Sequence, residues 1–451
     1  MNKYLIAFFI AISFTLLTIT QSEAKAFCGI HKGAKTMTIS ELQNKDRVID
    51  YFVQLAQIPS PSLKEDLVAD KIMEILSKNG ISATKDSYGN IMAILENNNN
   101  NNEPILLSAH MDVVGSNDPV NLRVSKDGKL IETDKTRTLG ADDKAGVATI
   151  LDTLVYFKEH PEIAHPKIEA VFTRDEELGM TGIENLDTTK ISSQNALILD
   201  GSDLGECNVA GASFTNLTVY ITEGKSGHSG IDIGDTDRVS ANKILGEIIN
   251  VIPQGVYKQN ELGVITSINS GVIIGGSAGM YLVGNKNELN IQTPEQIMEE
   301  ITNKSFRNII SANAYATYSI RSSEPENENK LKEEISKNLD EIIKKYGNKI
   351  KIEYKFETHL KPFVKDDNEE FLNKILVAAQ KEGMNSKPTS FHAGAETHVL
   401  QNEKLNADGK KFKPMLLGIA DIFNMHSPDE QVDWASLIKG RNWIIEIIKS
   451  L

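Results

Sequence analysis

Little in this sequence could staple or anchor a fold from outside its own core. Among 451 residues there are two cysteines, Cys28 and Cys207. One disulfide is the most they could form, and a chain of this size does not need it. An excess of base is missing too. Against 62 acids stand 48 lysines and arginines, and the formal charge of −14 argues against nucleic acid and anionic membranes as partners. Internal repeats and stalk-like segments are absent, so a structural or adhesive role finds no support. What the chain does have is length and apolar content enough for two domains with real cores.

Long apolar runs are also lacking, except at the start. Lys3 precedes an apolar stretch from Tyr4 to about Leu17, and TITQSEAKA follows. A basic start, a short greasy stretch and small residues at Ala24 and Ala26 read as a secretory signal over residues 1–26. The run falls short of the ~20 residues that a membrane span needs, an uncleaved anchor being the alternative. Phe27, ahead of Cys28, is too bulky for a lipoprotein cleavage site. The expectation is a secreted or periplasmic protein with no membrane attachment once the signal is removed.

Downstream, Ser40 is expected to cap a helix through VIDYFVQLAQI, and a second amphipathic helix to cover Leu63 to Lys78. IMAIL and PILLSAHMD read as strands, separated by the low-complexity asparagines 97–102. Gly140 to Tyr156 is largely helical, KIEAVFT and ALILD are strands, and the alternation is that of an α/β domain with a mixed, largely parallel sheet. From about Ser213 the pattern becomes α+β. FTNLTVYITEG alternates like a half-exposed strand, KSGHSG follows, and a helix starts near Asp237. Strands at Ala314–Ile320 and Lys349–Phe356 bracket a charged helix from Glu326 to Lys345. The α/β pattern then resumes with a helix at Glu369–Lys381, a strand PMLLGIA and a terminal helix from Trp434. The expected division is a catalytic domain in two segments, 27–212 and 360–451, around an inserted unit at 213–359.

Five acid and imidazole sites each follow a short apolar run: LLSAHMD (His110), TLGADDKAG (Asp142), AVFTRDEELG (Glu176 and Glu177), LILDGSD (Asp200) and NMHSPDE (His426). Taken singly, each has an ordinary explanation. A strand histidine is usually packed core, an acidic pair a solvated turn, Asp-Gly a turn, and His-Ser-Pro a helix start. Taken together they sit at strand exits, where open α/β sheets build their sites, and at a helix start that favours an anion. Mixed carboxylate and imidazole donors suit zinc. A carboxylate can bridge two cations ~3.5–4 Å apart, which acidify bound water and polarise a carbonyl. One acid of a pair can ligate while its neighbour acts as base. Alternation puts Asp112 on the face of His110, where it would orient the imidazole.

HMD, GADDKAG, DEE, LDG and HSPDE, in this order and spacing, resemble the dinuclear zinc exopeptidases of the peptidase T type, the tripeptide aminopeptidases, over essentially the whole mature chain. The resemblance implies a zinc-exopeptidase catalytic domain with an inserted α+β lid or dimerisation domain. It implies two Zn2+, with Co2+ or Mn2+ as substitutes. His110 and Asp200 would hold one ion, Glu177 and His426 the other, and Asp142 would bridge, since the family's bridging acid precedes the lysine by two positions. Glu176 would be the base. A histidine at the place of His228 reaches the active site in related enzymes, often from a neighbouring subunit, and would stabilise the oxyanion. Arg321 would grip the substrate's terminal carboxylate, and Glu396 would receive its free amine. HAGAE and HSPDEQV look more like the aminoacyl-histidine dipeptidases. His392 and His398 stay without a role.

The expected activity is hydrolysis of short peptides at the amino end, most readily tripeptides. The alternatives are a dipeptidase of the aminoacyl-histidine type, an N-acyl-amino-acid deacylase on the same scaffold, and a secreted peptide-binding protein with an inactive site. A homodimer through the lid is a further expectation.

Overall fold

The computed structural model describes residues 37–98, 102–276 and 308–451. The expected signal segment, Cys28 and asparagines 99–101 lie outside them. Among the described residues, no helix is long and apolar enough to cross a membrane. Cys207 is buried in a strand.

Apolar runs bounded by turns become the central eight-stranded sheet. Its order is Ser82–Lys85, Ile91–Leu95, Ile168–Thr173, Ile105–His110, Asn195–Gly201, Lys413–Gly418, Cys207–Gly211 and Pro388–Phe391. From Ile168–Thr173 to Lys413–Gly418 four neighbouring strands are parallel, and antiparallel pairs flank them on both sides. The sheet is therefore mixed, and its parallel centre is buried on both faces. Alternation sorts the two sides: Ile105, Leu107 and Ala109 enter the larger core, Leu106 the smaller one.

The larger core is closed by helices Arg47–Ala56, Ala141–Glu159, Glu369–Lys381 and Trp434–Ser450. Three of them meet on one acid. Asp152, with 0% of its surface exposed, takes Arg47 on one oxygen and Arg441 on the other, and Arg441 also reaches Asp46 at 2.9 Å. Asp46 caps the helix Arg47–Ala56. Ser40 lies instead in a separate short helix, Ile39–Gln43, capped by a Thr38–Glu41 box. Two capping signals, Thr38 and Asp46, lie eight positions apart and start two helices where one was expected.

The described residues between Phe214 and Leu360 build a second layer with its own core. Five antiparallel strands run in the order Gly255–Asn260, Gly263–Gly275, Ala314–Ser322, Phe214–Thr222, Lys351–Leu360. Helices Ala241–Val251 and Pro325–Tyr346 cover one face through Ile244, Ile248, Leu331, Ile335 and Leu339. The first helix starts four positions after Asp237, because Asp235 first turns the chain by accepting from Asp237 N at 3.0 Å. A smaller four-stranded sheet joins Leu122–Val124 and Leu130–Thr133 to Ile422–Phe423 and Gln431–Asp433. It brings the approaches to Asp142 and His426 side by side.

The chain passes between the two layers twice, and the passages are tied together. Gly211 N donates to Phe363 O at 2.9 Å. His398 Nε2 lies 3.0 Å from Ala212 O, and its Nδ1 lies 2.9 Å from Ala395 O and 3.1 Å from Ala395 N. Burial holds the His398 imidazole neutral and pushes its pKa down to about 4. A depressed histidine pKa means that the unfolded chain binds the proton first. Its contribution is complete above the ordinary value near 6.5 and is lost as pH falls towards 4. Urea unfolding should therefore show up to about 3 kcal/mol of acid destabilisation over that window, absent from His398→Asn. Equal pH slopes in the two proteins would contradict this account.

Candidate metal centre

The parallel strands deliver their acids and imidazoles to one edge. Ile105–His110 ends on His110, Ile168–Thr173 runs out into Glu176 and Glu177, and Asn195–Gly201 carries Asp200 next to its last residue. Register keeps these exits level: His110 pairs with Thr173, and Gly201 with Gly418 of the strand that leads on to His426. Asp142 arrives from the small sheet, at the non-helical start of the element Ala141–Glu159.

Asp142 stands in the middle. Its Oδ1 lies 3.1 Å from His110 Nε2 and its Oδ2 lies 3.0 Å from His426 Nε2. Asp200 Oδ1 is 3.4 Å from the same His110 nitrogen, and Glu177 Oε1 is 3.1 Å from the same His426 nitrogen. Ligand atoms of His110, Asp142 and Asp200 all fall within 4.8 Å of one another, as do those of Asp142, Glu177 and His426. Each set could hold one ion, and Asp142 offers a separate oxygen to each.

Asp142 and Asp143 are neighbours with different tasks. The Asp142 backbone is not helical, at φ −81° and ψ 105°, so it stands ahead of the first turn rather than in it. Asp143 takes up the helix end, its Oδ1 accepting from Gly146 N at 3.0 Å.

Charge at the site is one-sided. Burial pushes Asp200 up to about 7 and raises Glu177, with Asp142 adding to both. Glu176 is held well above its usual range by burial, with Asp200, Glu396 and Glu177 adding to it. Burial opposes ionisation of Asp142, yet hydrogen bonds from His110 and His426 outweigh it and hold the carboxyl well below its usual range. His426 is lifted to about 9, chiefly by its bond to Asp142. The charges that dominate these acids are imidazoles and other acids, with no lysine or arginine among them. Glu177 Oε1 is buried and accepts no hydrogen bond, despite the nearby His426 nitrogen. Oxygen and nitrogen donors crowded this closely, one acid oxygen among them accepting no hydrogen bond, fit a pair of divalent cations.

A second ring of groups holds the first. Asp112, 0% exposed, accepts from Glu176 N at 3.0 Å, from Glu177 N at 3.1 Å and from Ser62 Oγ at 2.7 Å. It thus fixes the acid pair as well as lying 3.4 Å from His110 Nδ1. Glu430 accepts from Gly140, Ala141 and Asp142 N–H groups. Sequence reasoning missed Ser62 and Glu430. The last acid of HSPDE was visible as part of a motif, but nothing local says which backbone it meets. Among the described residues, seven non-glycine residues have positive φ, and Leu63, Asp175, Met180, Asn424 and His426 flank or form the site.

The remaining candidates lie apart from the two ligand sets. His228 is exposed, and its Nδ1 accepts from Gly230 N and Ile231 N, both at 3.1 Å. The ring's proton therefore sits on Nε2. Arg321 lies over the Phe214 ring at 4.3 Å, half-buried on the lid sheet, with no acid partner among the described residues. His392 is beside it, bonded through Nε2 to Ser267 Oγ at 2.7 Å, and burial, with the Arg321 charge adding to it, lowers its pKa. Glu396 is buried against Ser108 Oγ at 3.1 Å, close enough to Glu176 to raise it, and its Oε1 has no partner.

Comparison with known proteins follows the same lines. A family model described as Peptidase family M20/M25/M40 matches residues 106–450. Peptidase T of Brevibacillus brevis is 26% identical over 455 residues, covering 90% of this chain and 98% of that protein. Peptidase T of Geobacillus kaustophilus is 30% identical over 253 residues, a match that spans 46% of this chain and 60% of that protein. Among solved structures, aminopeptidase PepT from Bacillus cereus superposes with a TM-score of 0.73 at 21% identity, covering 90% of this chain and 98% of that one. Aminoacylhistidine dipeptidase from Vibrio alginolyticus gives 0.62 at 17% identity, with 90% and 97% covered. At these identities the superpositions speak for the fold.

If Asp142 serves both ligand sets, Asp142→Ala should weaken both sites by more than about 100-fold. His426→Ala and Asp200→Ala should each spare one. Calorimetric titration of the metal-free chain with Zn2+ reads this directly, and an Asp142→Ala protein that still takes up two ions would exclude the shared role.

Proposed function

The chain belongs to Peptidase family M20/M25/M40, and we propose that it is an exported dizinc exopeptidase that releases the N-terminal residue of tripeptides. The observation that carries this reading is the division of Asp142, one oxygen towards each ligand set. The family match and the peptidase T relatives support the peptide substrate. The basic, apolar first residues support export. His110, Asp142 and Asp200 would hold one ion and Asp142, Glu177 and His426 the other, with Co2+ or Mn2+ able to replace zinc. Two such cations would supply Lewis acidity, polarising a scissile carbonyl and acidifying a water molecule.

The chain's own groups do the rest. Glu176 shares a turn with Glu177 and forms with it and His110 a third close group, outside the two sets that contain Asp142. Held by Asp112 through its backbone, it is free to take a proton from the attacking water and to return it to the leaving amine. Arg321, a half-buried cation without a carboxylate of its own, suits the carboxylate at the far end of a short peptide. Glu396, with one unpartnered oxygen, suits the free amine. His228 presents Nε2–H outward from a short strand paired with Ile309–Ile310, the arrangement of a donor for an oxyanion met across a dimer through the lid. HAGAE, at residues 392–396, supports an aminoacyl-histidine dipeptidase as the second reading.

Product analysis on free and blocked di-, tri- and tetrapeptides, with and without chelator, tests the proposal. Tripeptides with a free amine should lose their first residue, and chelator should stop it. Cleavage confined to dipeptides moves the reading to the dipeptidase, release from blocked substrates to the deacylase, and no release by the metal-loaded protein to a binding protein. Glu176→Gln should keep both ions and lose about 10²–10⁴-fold in kcat. Full turnover in that variant would remove Glu176 from the base role. Arg321→Met should raise KM about 10–100-fold with kcat little changed, and an unchanged KM would free Arg321 from substrate binding.

A further inference from the structure

Glu430 is 2% exposed, and its carboxylate points into the backbone of another segment. Oε2 accepts from Gly140 N at 2.8 Å, and Oε1 accepts from Ala141 N at 3.0 Å and Asp142 N at 3.3 Å. Three consecutive N–H groups converging on one carboxylate require an unusual backbone, and Gly140 supplies it. Its φ is +73°, and a Cβ there would meet Val113 Cγ1 at 2.7 Å. At its other end Glu430 closes the loop that carries His426. Glu430 N donates to Ser427 O at 3.1 Å, Ser427 Oγ to Asn424 O at 2.8 Å, and Asn424 and His426 have φ of +55° and +60°. Pairing of Gln431 with Glu132 and the Lys135–Asp429 bridge at 2.6 Å run alongside. Glu430 is thus a buried side chain that joins the Asp142 segment to the His426 loop, beside the direct contact of His426 with Asp142.

We propose that Glu430 is a positioning residue whose carboxylate sets Asp142 and His426 at one spacing, and so governs the second metal ion more than the first. The inference rests on the dinuclear reading above. Two of the three ligands in the set Asp142, Glu177 and His426 depend on this clasp, against Asp142 alone in the set His110, Asp142 and Asp200. Supporting groups that orient ligands act on metal affinity by about 10–100-fold. In Glu430→Gln, one oxygen becomes an amide donor facing backbone donors, so the clasp loses part of its bonds while side-chain volume is kept.

The test is a Zn2+ titration of metal-free wild type and Glu430→Gln by competition with a chromophoric chelator, with circular dichroism on the metal-free proteins. The expected result is a retained fold, a first ion bound within about 3-fold of wild type, and a second weakened about 10–100-fold. Raising Zn2+ should restore kcat/KM. Glu430→Asp, one methylene shorter, should weaken the ions in the same order and decides the matter should the glutamine variant fail to fold. Equal weakening of both ions, or lower thermal stability with unchanged affinities, overturns the proposal. A wild-type chain that takes up fewer than two ions sinks the dinuclear reading and this inference with it. Two ions in wild type and unaltered binding in the variants sink this inference alone.

Discussion

Like charges gathered out of water are the constraint around which this molecule is arranged. Asp142, Glu176, Glu177 and Asp200 are brought within reach of one another at the rim of a buried sheet, and no lysine or arginine dominates their surroundings. Burying carboxylates without compensation costs several kcal/mol apiece. The two imidazoles, both pushed towards their charged forms, offset part of this, and divalent cations would offset it more fully. A cluster that is unfavourable for an empty protein is what a strong cation site needs.

Holding such groups in place falls to acids of another kind. Asp112 and Glu430 are as buried as the cluster itself, but their oxygens face backbone N–H groups. A carboxylate satisfied by main-chain donors acts as a rigid link, because the donors cannot turn away. The rest of the fold repeats the device at its seams. Asp152 gathers two arginines from different helices, and Glu169 is 0% exposed and accepts from the backbone and hydroxyls of Ser192 and Ser193. In a chain with 62 acids, many of the buried ones are fasteners.

Legibility followed locality. Helix Glu369–Lys381 and the terminal helix from Trp434 could be read with their bounds, because periodicity and caps lie within the segment. The strands ahead of His110, Glu176 and Asp200 were legible for the same reason, as apolar runs closed by turns. Gly255–Asn260 and Cys207–Gly211 were not, since one is a largely exposed edge of polar residues and the other is a fully buried run with no alternation. The helix Glu396–Glu403 was hidden by its lack of a polar cap and of a marked apolar stripe. Asp142 was legible as standing at a helix start, but that its own dihedrals there are not helical was not, since neighbouring residues on either side suit a continuous helix.

The sequence by itself determined which donors exist, that they follow apolar runs, and that the runs alternate with helices. Those are properties of neighbours along the chain, set by side-chain chemistry and short-range periodicity. Only the tertiary structure decided that Asp142 turns one oxygen to His110 and the other to His426, and that Glu430 grips the segment before it. These contacts join residues 284 and 290 positions apart in the cases of His426 and Glu430. Pairing of the small sheet brings them together, and no local preference encodes a partner at that distance.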